Sequence, residues 1–312
     1  MHCASSPIPE LSEFPLAMRY RVVHSTTYSY SEPVSLCQNG IHLTPRKTSR
    51  QSCLAHRLTI CPAPGKLEES VDYFGNPVHF FTIPDAHQEM LVTAESDVSI
   101  SSAAYIPPET TSLWEHVRDS TKTAQTVEAL DARQFLFDSP HVEACAGLAS
   151  FTAESFPAGR PWLEAVLDLT ARINRTFVYD PTATNISTPL KTVLDMKRGV
   201  CQDFAHLQIG CLRALGLPAR YVSGYLLTAP AAGQPRLQGA NASHAWLSAY
   251  CPGLGWVEFD PTNNIVPSLD HVIVAWGRDY SDVCPIQGVF VGGGQHRMNV
   301  SVDVRPIETS GN

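Results

Sequence analysis

The chain has 312 residues, of which 44% are hydrophobic, and its formal net charge is −8 at pH 7. The hydrophobic fraction is typical of a globular protein, and the length suggests two domains. The acidic balance argues against nucleic acid or an anionic membrane as the main partner. Because no run of eighteen apolar residues occurs, the sequence predicts no transmembrane helix.

The first 17 residues differ in composition from the rest of the chain. They contain three prolines and several serines, and they lack the basic start and apolar stretch of a secretory signal. We therefore expect residues 1–17 to form a disordered tail, with the first strand beginning at Met18. The absence of a secretory pattern leads us to expect a cytoplasmic protein.

Nine cysteines are scattered through the chain, and no Cys-x-x-Cys pair occurs. This spacing does not match a zinc site, so no structural metal is predicted. The odd number fits a reducing compartment, in which most of these cysteines are small buried hydrophobic residues.

The N-terminal third has the pattern of β-strands. Val, Ile, Tyr, Phe and Thr recur in four segments, near residues 19–30, 54–61, 71–83 and 90–100. Gly75-Asn76-Pro77 supplies a turn within the third segment. Residues 18–105 are therefore predicted to form a β-sandwich-like domain that supports the remainder of the chain.

Residues 106–160 are predicted to form a helical connector, with a short helix at Leu113–Arg118 and another at Pro140–Phe156. From Pro161 a clear amphipathic helix begins. Its apolar stripe consists of Leu163, Val166, Leu167, Thr170, Ile173 and Phe177. We expect this helix to pack beside the next long one.

That next helix begins at Cys201. Before it, Thr188 and Pro189 start a short helix over Leu190–Lys197, which Gly199 ends. The apolar run Cys201–Leu215 then closes at Gly216. Cys201 thus lies at a helix N-terminus, where free N–H groups and the helix dipole favour an anion. We expect Cys201 to be a partly ionised nucleophile.

The acidic residue two positions further on, Asp203, complements the same dipole. A carboxylate aimed at the sulfur would oppose thiolate formation. We therefore expect Asp203 to face away from Cys201.

A β-hairpin is predicted after this helix. Residues 241–250 and 256–260 contain strong strand formers, and Cys251-Pro-Gly-Leu-Gly255 between them is a turn by composition. His244 lies eight residues before Pro252, and Asp260 lies eight after it. Such positions come close to facing each other in an antiparallel hairpin.

Cys201, His244 and Asp260 therefore stand in the order nucleophile, base and orienting carboxylate. Each residue alone has a simpler explanation: a buried cysteine is usually packing, a strand histidine is usually structural, and an Asp before Pro-Thr is usually a turn residue. Their joint order, the helix N-terminus and the hairpin symmetry favour acyl chemistry through a cysteine.

The C-terminal region returns to strands. Val272–Trp276 is a short apolar strand, and Val300–Val304 alternates well. The triple glycine 292–294 lacks the Lys-Ser/Thr of a phosphate loop and is interpreted as a hairpin turn. We expect residues 267–312 to complete the core that contains the candidate triad.

Several segments resemble a known family. They are Arg198-Gly-Val-Cys-Gln-Asp-Phe-Ala205, Leu212–Tyr225, His244-Ala-Trp246 and Gly255-Trp-Val-Glu-Phe-Asp-Pro-Thr262. This set resembles the transglutaminase-like core of a bacterial family of cysteine proteases. Met18–Val34 and Leu43-Thr-Pro-Arg46 resemble the start of that family's N-terminal β domain, and 270–285 its C-terminal segment.

The resemblance implies an α+β, papain-like core over residues 161–266, in which a helix bearing the cysteine packs on an antiparallel sheet. It also implies Cys201 as nucleophile, His244 as base and Asp260 as orienting group. Substrate contacts are placed at Trp246, Arg278, Tyr280 and Asp282. By physical chemistry alone, the polar stretch around Arg278 is equally well explained as a structural corner.

Three functions fit these features. The first is a thiol-dependent hydrolase of peptide or amide bonds, the second a transglutaminase-type acyltransferase that uses an amine as acceptor, and the third a catalytically silent peptide-binding scaffold. The expected partner is a peptide, protein or amide substrate. The chemistry needs no cofactor, and no acidic loop indicates calcium.

Overall fold

The computed structural model describes residues 17–227 and 243–307; the sequence prediction of a disordered tail over residues 1–17 falls almost wholly outside this range. The helices are α1 (Trp114–Thr123), α2 (Val127–Arg133), α3 (Leu148–Ala153), α4 (Trp162–Thr176), α5 (Leu190–Met196) and α6 (Cys201–Ala214). The strands up to the connector are β1 (Ala17–Ile41), β2 (Gln51–Cys61), β3 (Lys66–Val71), β4 (Pro77–Ile83) and β5 (His87–Ser101). The later strands are β6 (Val178–Tyr179), β7 (Arg198–Gly199), β8 (Ala219–Leu226), β9 (Ser243–Cys251), β10 (Gly255–Phe259), β11 (His271–Gly277), β12 (Ile286–Gly292) and β13 (His296–Pro306).

The N-terminal domain is a curled antiparallel sheet built around β1. The strand order is β2-β5-β1-β4-β3. The first half of β1 pairs with β5 and β13, whereas its second half pairs with β4 and β12. Alternate residues face a shared apolar cluster that includes Val34, Ile41, Phe81, Ile83 and Met90, and this gives the domain its sandwich-like character. The turn at Gly75 has a φ of +76° and joins β3 to β4, as the sequence predicts.

The C-terminal segment is shared between the two domains. β11 joins the core sheet, but β12 and β13 pair with β1 of the N-terminal sheet. The prediction that residues 267–312 complete the core is therefore wrong for these two strands. Alternating side chains identify a strand and its buried face, but they carry no information about a pairing partner some 250 residues away in the chain.

The core is a four-stranded antiparallel sheet of order β10-β9-β8-β11. Helix α6 packs on β8 and β9, and nearly all of its side chains from Asp203 to Arg213 are buried. Helix α4 contacts α6, and the amide of Gln208 donates to the Thr170 hydroxyl at 2.7 Å between them. The core is thus α+β, with the cysteine-bearing helix against an antiparallel sheet.

The helices of the connector differ from the predicted ones: α1 continues to Thr123, beyond the predicted end at Arg118, and α2 was not predicted. Of the helix expected over Pro140–Phe156, only α3 forms. Gly147, the residue before it, has a φ of +100°, which no right-handed helix contains, so the helix cannot begin earlier. Ser139 and Val142 form an isolated β-bridge instead. No helix in the described part of the chain is long and apolar enough to cross a membrane.

Candidate active site

Cys201 is the first residue of α6, and the segment before it fixes where that helix begins. The Asp203 carboxylate accepts hydrogen bonds from the Val200 backbone N–H at 2.8 Å and from the Thr184 hydroxyl at 2.6 Å. A Cβ atom at Gly199 would lie 2.6 Å from the same carboxylate oxygen, so this close approach requires glycine. Burial raises the pKa of Asp203, against the effect of its two hydrogen bonds.

His244 lies in β9 and contacts both of the other candidate residues. Its Nε2 atom is 2.8 Å from Oδ2 of Asp260, and its side chain also forms a hydrogen bond with Cys201. Because Nε2 faces the carboxylate, Nδ1 is the nitrogen available to the thiol. Burial alone would lower the pKa of His244, but the hydrogen bonds and charges of Asp260 and Cys201 outweigh it and raise the pKa to about 9.

Asp260 follows the end of β10 and is completely buried, with 0% of its surface exposed. Oδ2 accepts from His244, from His271 Nε2 at 3.1 Å and from Asn263 Nδ2 at 2.7 Å. Oδ1 accepts from the backbone N–H groups of Thr262 at 3.0 Å and Asn263 at 3.2 Å. Burial would raise the pKa of Asp260, but these donors hold it well below its usual range.

The hairpin explains how His244 and Asp260 meet. β9 and β10 pair with Cys251 opposite Gly255, and this register, continued past the end of β10, sets Asp260 opposite Trp246. His244 lies two residues further along β9 on the same face. The two side chains are thus diagonal neighbours, within reach of each other in an antiparallel pair.

Trp246 is completely buried, with 0% of its surface exposed to solvent. Its indole ring stacks near the His244 ring, with centroids 5.9 Å apart, and its Nε1–H donates to Glu258 at 2.8 Å. The predicted substrate contact at Trp246 is therefore corrected to a supporting role beneath His244. Gly224 makes room for this ring, because a Cβ there would lie 2.5 Å from the indole.

Arg278, Tyr280 and Asp282 form a corner after β11. Both oxygens of Asp282 accept from the Arg278 guanidinium at 2.9 Å, and one also accepts from the Arg278 backbone N–H at 2.8 Å. The Tyr280 backbone N–H donates to His206 at 3.2 Å. These polar groups are engaged with one another, so the geometry favours the structural corner over the predicted substrate contacts.

Sequence reasoning assigned no role to His271 or Asn263. His271 is the first residue of β11 and is 3% exposed. The Asp270-His271 pair was visible as part of the family resemblance, but no local pattern indicated that it reaches Asp260. Tyr179 was also missed: it pairs with Gly199 between β6 and β7, and burial together with the nearby Cys201 thiol raises the pKa of its phenol.

His244, Asp260 and His271 are the described residues whose ligand atoms lie close enough to hold a metal, all within 4.8 Å of one another. Both histidines, however, direct Nε2 at the same carboxylate oxygen, and a buried ionised carboxylate accepts hydrogen bonds from ring N–H groups. A metal ion would have to replace both contacts. The donor set therefore favours a hydrogen-bonded group over a metal centre.

Two family models match this chain. Residues 20–99 match the bacterial transglutaminase-like N-terminal region, and residues 150–261 match the transglutaminase-like superfamily. The first covers much of the N-terminal sheet, and the second contains Cys201, His244 and Asp260.

Relatives of similar length occur in mycobacteria. An uncharacterized protein from Mycobacterium tuberculosis strain H37Rv is 39% identical over 298 residues, which are 93% of each chain. One from Mycobacterium leprae is 32% identical over 295 residues, covering 92% of this chain and 98% of that one. A protein-glutamine gamma-glutamyltransferase from Pseudomonas aeruginosa is 31% identical over 107 residues, 32% of this chain and 16% of that protein.

Among solved structures, a Cytophaga hutchinsonii protein named as a candidate cysteine protease has the same fold. Its TM-score is 0.75 at 23% identity, and the match covers 95% of this chain and 93% of that one. The chain therefore belongs to the bacterial transglutaminase-like family and is a thiol-dependent enzyme of the cysteine peptidase or acyltransferase type.

Proposed function

We propose that the protein hydrolyses peptide or amide bonds through an acyl-thioester intermediate on Cys201. The observation that carries this proposal is the hydrogen-bonded series from the Cys201 thiol through His244 to the buried Asp260 carboxylate. A thiol paired with an imidazole, which is itself oriented by a carboxylate, is the arrangement needed for covalent acyl transfer.

In the proposed reaction, His244 accepts the thiol proton and the Cys201 sulfur attacks the substrate carbonyl carbon. The carbonyl π pair moves to oxygen, and when the carbon–nitrogen bond breaks, His244 gives its proton to the leaving amine. A water molecule then attacks the thioester with His244 as base, which releases a carboxylic acid and restores the thiol. Asp260 holds the ring and stabilises the imidazolium throughout.

The developing oxyanion needs hydrogen-bond donors. The backbone N–H of Cys201, in the first turn of α6, is one such donor, because the first N–H groups of a helix have no partner within the helix. We propose the half-exposed Tyr179 hydroxyl as a second. It lies on β6 beside Gly199, close enough to Cys201 for the thiol to influence its pKa.

A transglutaminase-type acyl transfer is the alternative. It uses the same first half-reaction, with an amine in place of water as the acceptor. The relative named as a gamma-glutamyltransferase supports this alternative over 32% of the chain. The likeness to the candidate cysteine protease extends over 95% of the chain, and for that reason hydrolysis is placed first. A silent peptide-binding scaffold is the third possibility, and the retained Cys201, His244 and Asp260 argue against it.

The expected substrate is a peptide, a protein or a small amide. A cytoplasmic location stays a prediction, supported by the free state of the eight cysteines in the described residues. The acidic net charge of −8 supports the expectation that nucleic acid is not a partner.

The test separates the two acceptors in one mixture. Casein is incubated with the protein and monodansylcadaverine, and new amino termini, released ammonia and dansyl label on casein are measured together. Hydrolysis of peptide bonds yields amino termini without label, whereas acyl transfer from glutamine yields ammonia and label in equal amounts. Whichever activity is found, hydrolysis or acyl transfer, should vanish in Cys201→Ala and persist in Cys61→Ala, which removes an exposed thiol. If Cys201→Ala retains either activity, the proposed nucleophile is wrong.

A further inference from the structure

A large cavity lies between the N-terminal domain, the connector and the outer face of the core sheet. Its volume is about 840 Å³, which is in the usual range for a small-molecule site. Its lining comes from the segment before β2, from the residues after β5, from α4 and from all four core strands. Cys201, His244 and Asp260 do not line it, so it is distinct from the candidate active site.

Arg220 is the central polar group of this cavity. It is only 7% exposed, and its guanidinium carbon lies over two indole rings, 4.1 Å from the Trp256 centroid and 3.6 Å from that of Trp276. Nε donates to the Ser248 hydroxyl at 2.8 Å. The N–H donors of a guanidinium lie in its own plane, so contacts with the indole rings leave these donors available for hydrogen bonds.

This buried cation lacks a paired anion. Within residues 17–227 and 243–307, no carboxylate oxygen lies within 4.0 Å of Arg220. A second cation, Arg46, lies 3.5 Å from the centroid of the Trp276 ring. Burial and the Arg46 charge lower the pKa of Arg220 to about 9, although the more distant carboxylates of Glu258 and Asp131 act in the opposite direction. A buried charge that no counter-charge contacts directly is costly, and an anion entering the cavity would offset that cost.

A second arginine of the cavity also has an unused donor. Arg50 donates from Nη2 to Glu258 at 2.8 Å, but its Nη1 is buried and has no hydrogen-bond partner in the described part of the chain. Glu258, Ser248 and Arg220 are opposite one another across β10, β9 and β8, so the two arginines flank the same carboxylate. Among the described residues that line the cavity, the two arginines Arg220 and Arg50 face one carboxylate, Glu258, which leaves one excess positive charge.

The chemistry of the lining limits the ligand. A cation would meet Arg220 and Arg50, and both indoles already contact guanidinium groups. A polyphosphate would bring more negative charge than one excess cation can balance. The remaining surface is apolar and includes Leu163, Leu167, Val222 and Ile273. A single anionic group joined to an apolar body matches both parts of the lining.

We propose that this cavity binds a small amphipathic carboxylate, whose carboxylate group is held by Arg220 and Arg50 and whose apolar body packs against the indole and aliphatic side chains. Arginine binds carboxylates through paired N–H donors, and for Arg220 only Nε has a hydrogen-bond partner among the described residues, the Ser248 hydroxyl. The proposal does not depend on the proposed hydrolase activity.

The experiment uses 4-phenylbutyrate as probe and 4-phenylbutan-1-ol as its uncharged counterpart, titrated into the full-length protein by calorimetry. The acid should bind with a Kd below roughly 1 mM, and at least about tenfold more tightly than the alcohol. Cys201→Ala should bind it unchanged, which separates this site from the active site. Inorganic phosphate at roughly 10 mM should not displace it, because phosphate lacks the apolar body.

Two variants test the site itself. Arg220→Lys keeps the charge but loses the planar donor edge, and should weaken binding of the acid about tenfold. Ala104→Trp fills the cavity from an exposed position shortly after β5, so it should abolish binding without disturbing the core; Ala149→Trp, on the exposed face of α3, is its matched control. Equal binding of acid and alcohol, full binding by Ala104→Trp, or no binding of the acid at roughly 5 mM would each overturn the proposal.

Discussion

His271 and His244 share one oxygen atom of Asp260. The two Nε2 atoms lie 3.1 Å and 2.8 Å from Oδ2, and the imidazole centroids are 6.0 Å apart. His271 reaches the carboxylate from β11, at the edge of the core sheet opposite β10. The candidate site is thus a group of four side chains, Cys201, His244, Asp260 and His271. Asp260 orients His244, and His271 in turn holds the Asp260 carboxylate in place.

Replacing His271 should loosen Asp260 and thereby misplace His244. A hydrogen bond to a charged group contributes about 1.5–3 kcal/mol, so His271→Ala should lower kcat roughly tenfold or more. KM should change little, because His271 is buried and offers almost no surface to a substrate. Kinetics of the activity found with casein, or a peptide derived from it, give both constants.

Two further variants distinguish positioning from a general loss of folding. His271→Gln keeps an N–H donor and should recover part of the lost kcat, while His116→Ala, at an exposed position in α1, should behave as the wild type. A fall in kcat that Gln does not restore, accompanied by a lower unfolding midpoint, would reduce His271 to a structural role.

The pKa of His244 makes stability depend on pH in a defined window. Because the pKa rises from 6.5 to about 9 on folding, protonated His244 stabilises the fold fully below pH 6.5. This contribution is lost as the pH rises through about 9. Asp260 acts in the opposite sense, since its lowered pKa gives stability above its unfolded pKa that is lost only in strong acid.

Urea unfolding of the wild type and His244→Gln between pH 5.5 and 9.5 isolates the histidine contribution. The difference in unfolding free energy should be largest at pH 5.5 and decrease steadily above pH 6.5, as the linkage requires. Titrating groups that do not contact His244 affect both proteins alike and cancel in the difference. A difference that stays constant across this range would contradict the His244–Asp260 ion pair.

Much of the site could be predicted because its signals are local. Gly199 and Gly216 mark the ends of the cysteine-bearing helix, and Pro252-Gly253 marks the hairpin that brings His244 to Asp260. These features depend on a few neighbouring residues, whose conformational preferences are read directly from the chain.

The features that could not be predicted depend on distant contacts. His271 meets Asp260 only because β11 pairs with β8. In β8, Gly224 has no side chain, and this leaves space for the Trp246 ring. The pairing of β12 and β13 with β1 is equally non-local. The contacts of Arg220 with the rings of Trp256 and Trp276 likewise become apparent only when β8, β10 and β11 lie in one sheet.

Tyr179 provides a test of the proposed oxyanion site. Tyr179→Phe removes the hydroxyl and keeps the ring, so kcat should fall roughly tenfold or more while the rate of Cys201 alkylation stays close to that of the wild type. The matched control is Tyr73→Phe, at a tyrosine that is 83% exposed. An unchanged kcat in Tyr179→Phe would remove the phenol from the mechanism and leave the backbone donors of α6.

The state of the thiol can be measured without a substrate. Iodoacetamide should label Cys201 rapidly and selectively below pH 7, because an imidazolium at His244 and the start of α6 both favour the anion. The exposed Cys61 serves as an internal reference, and mass spectrometry assigns the label to each residue. His244→Ala should abolish the fast labelling of Cys201 and leave Cys61 unaffected. Slow labelling spread over several cysteines, unchanged in His244→Ala, would mean that the thiol and imidazole do not form a functional pair, and it would favour the peptide-binding scaffold over either enzyme.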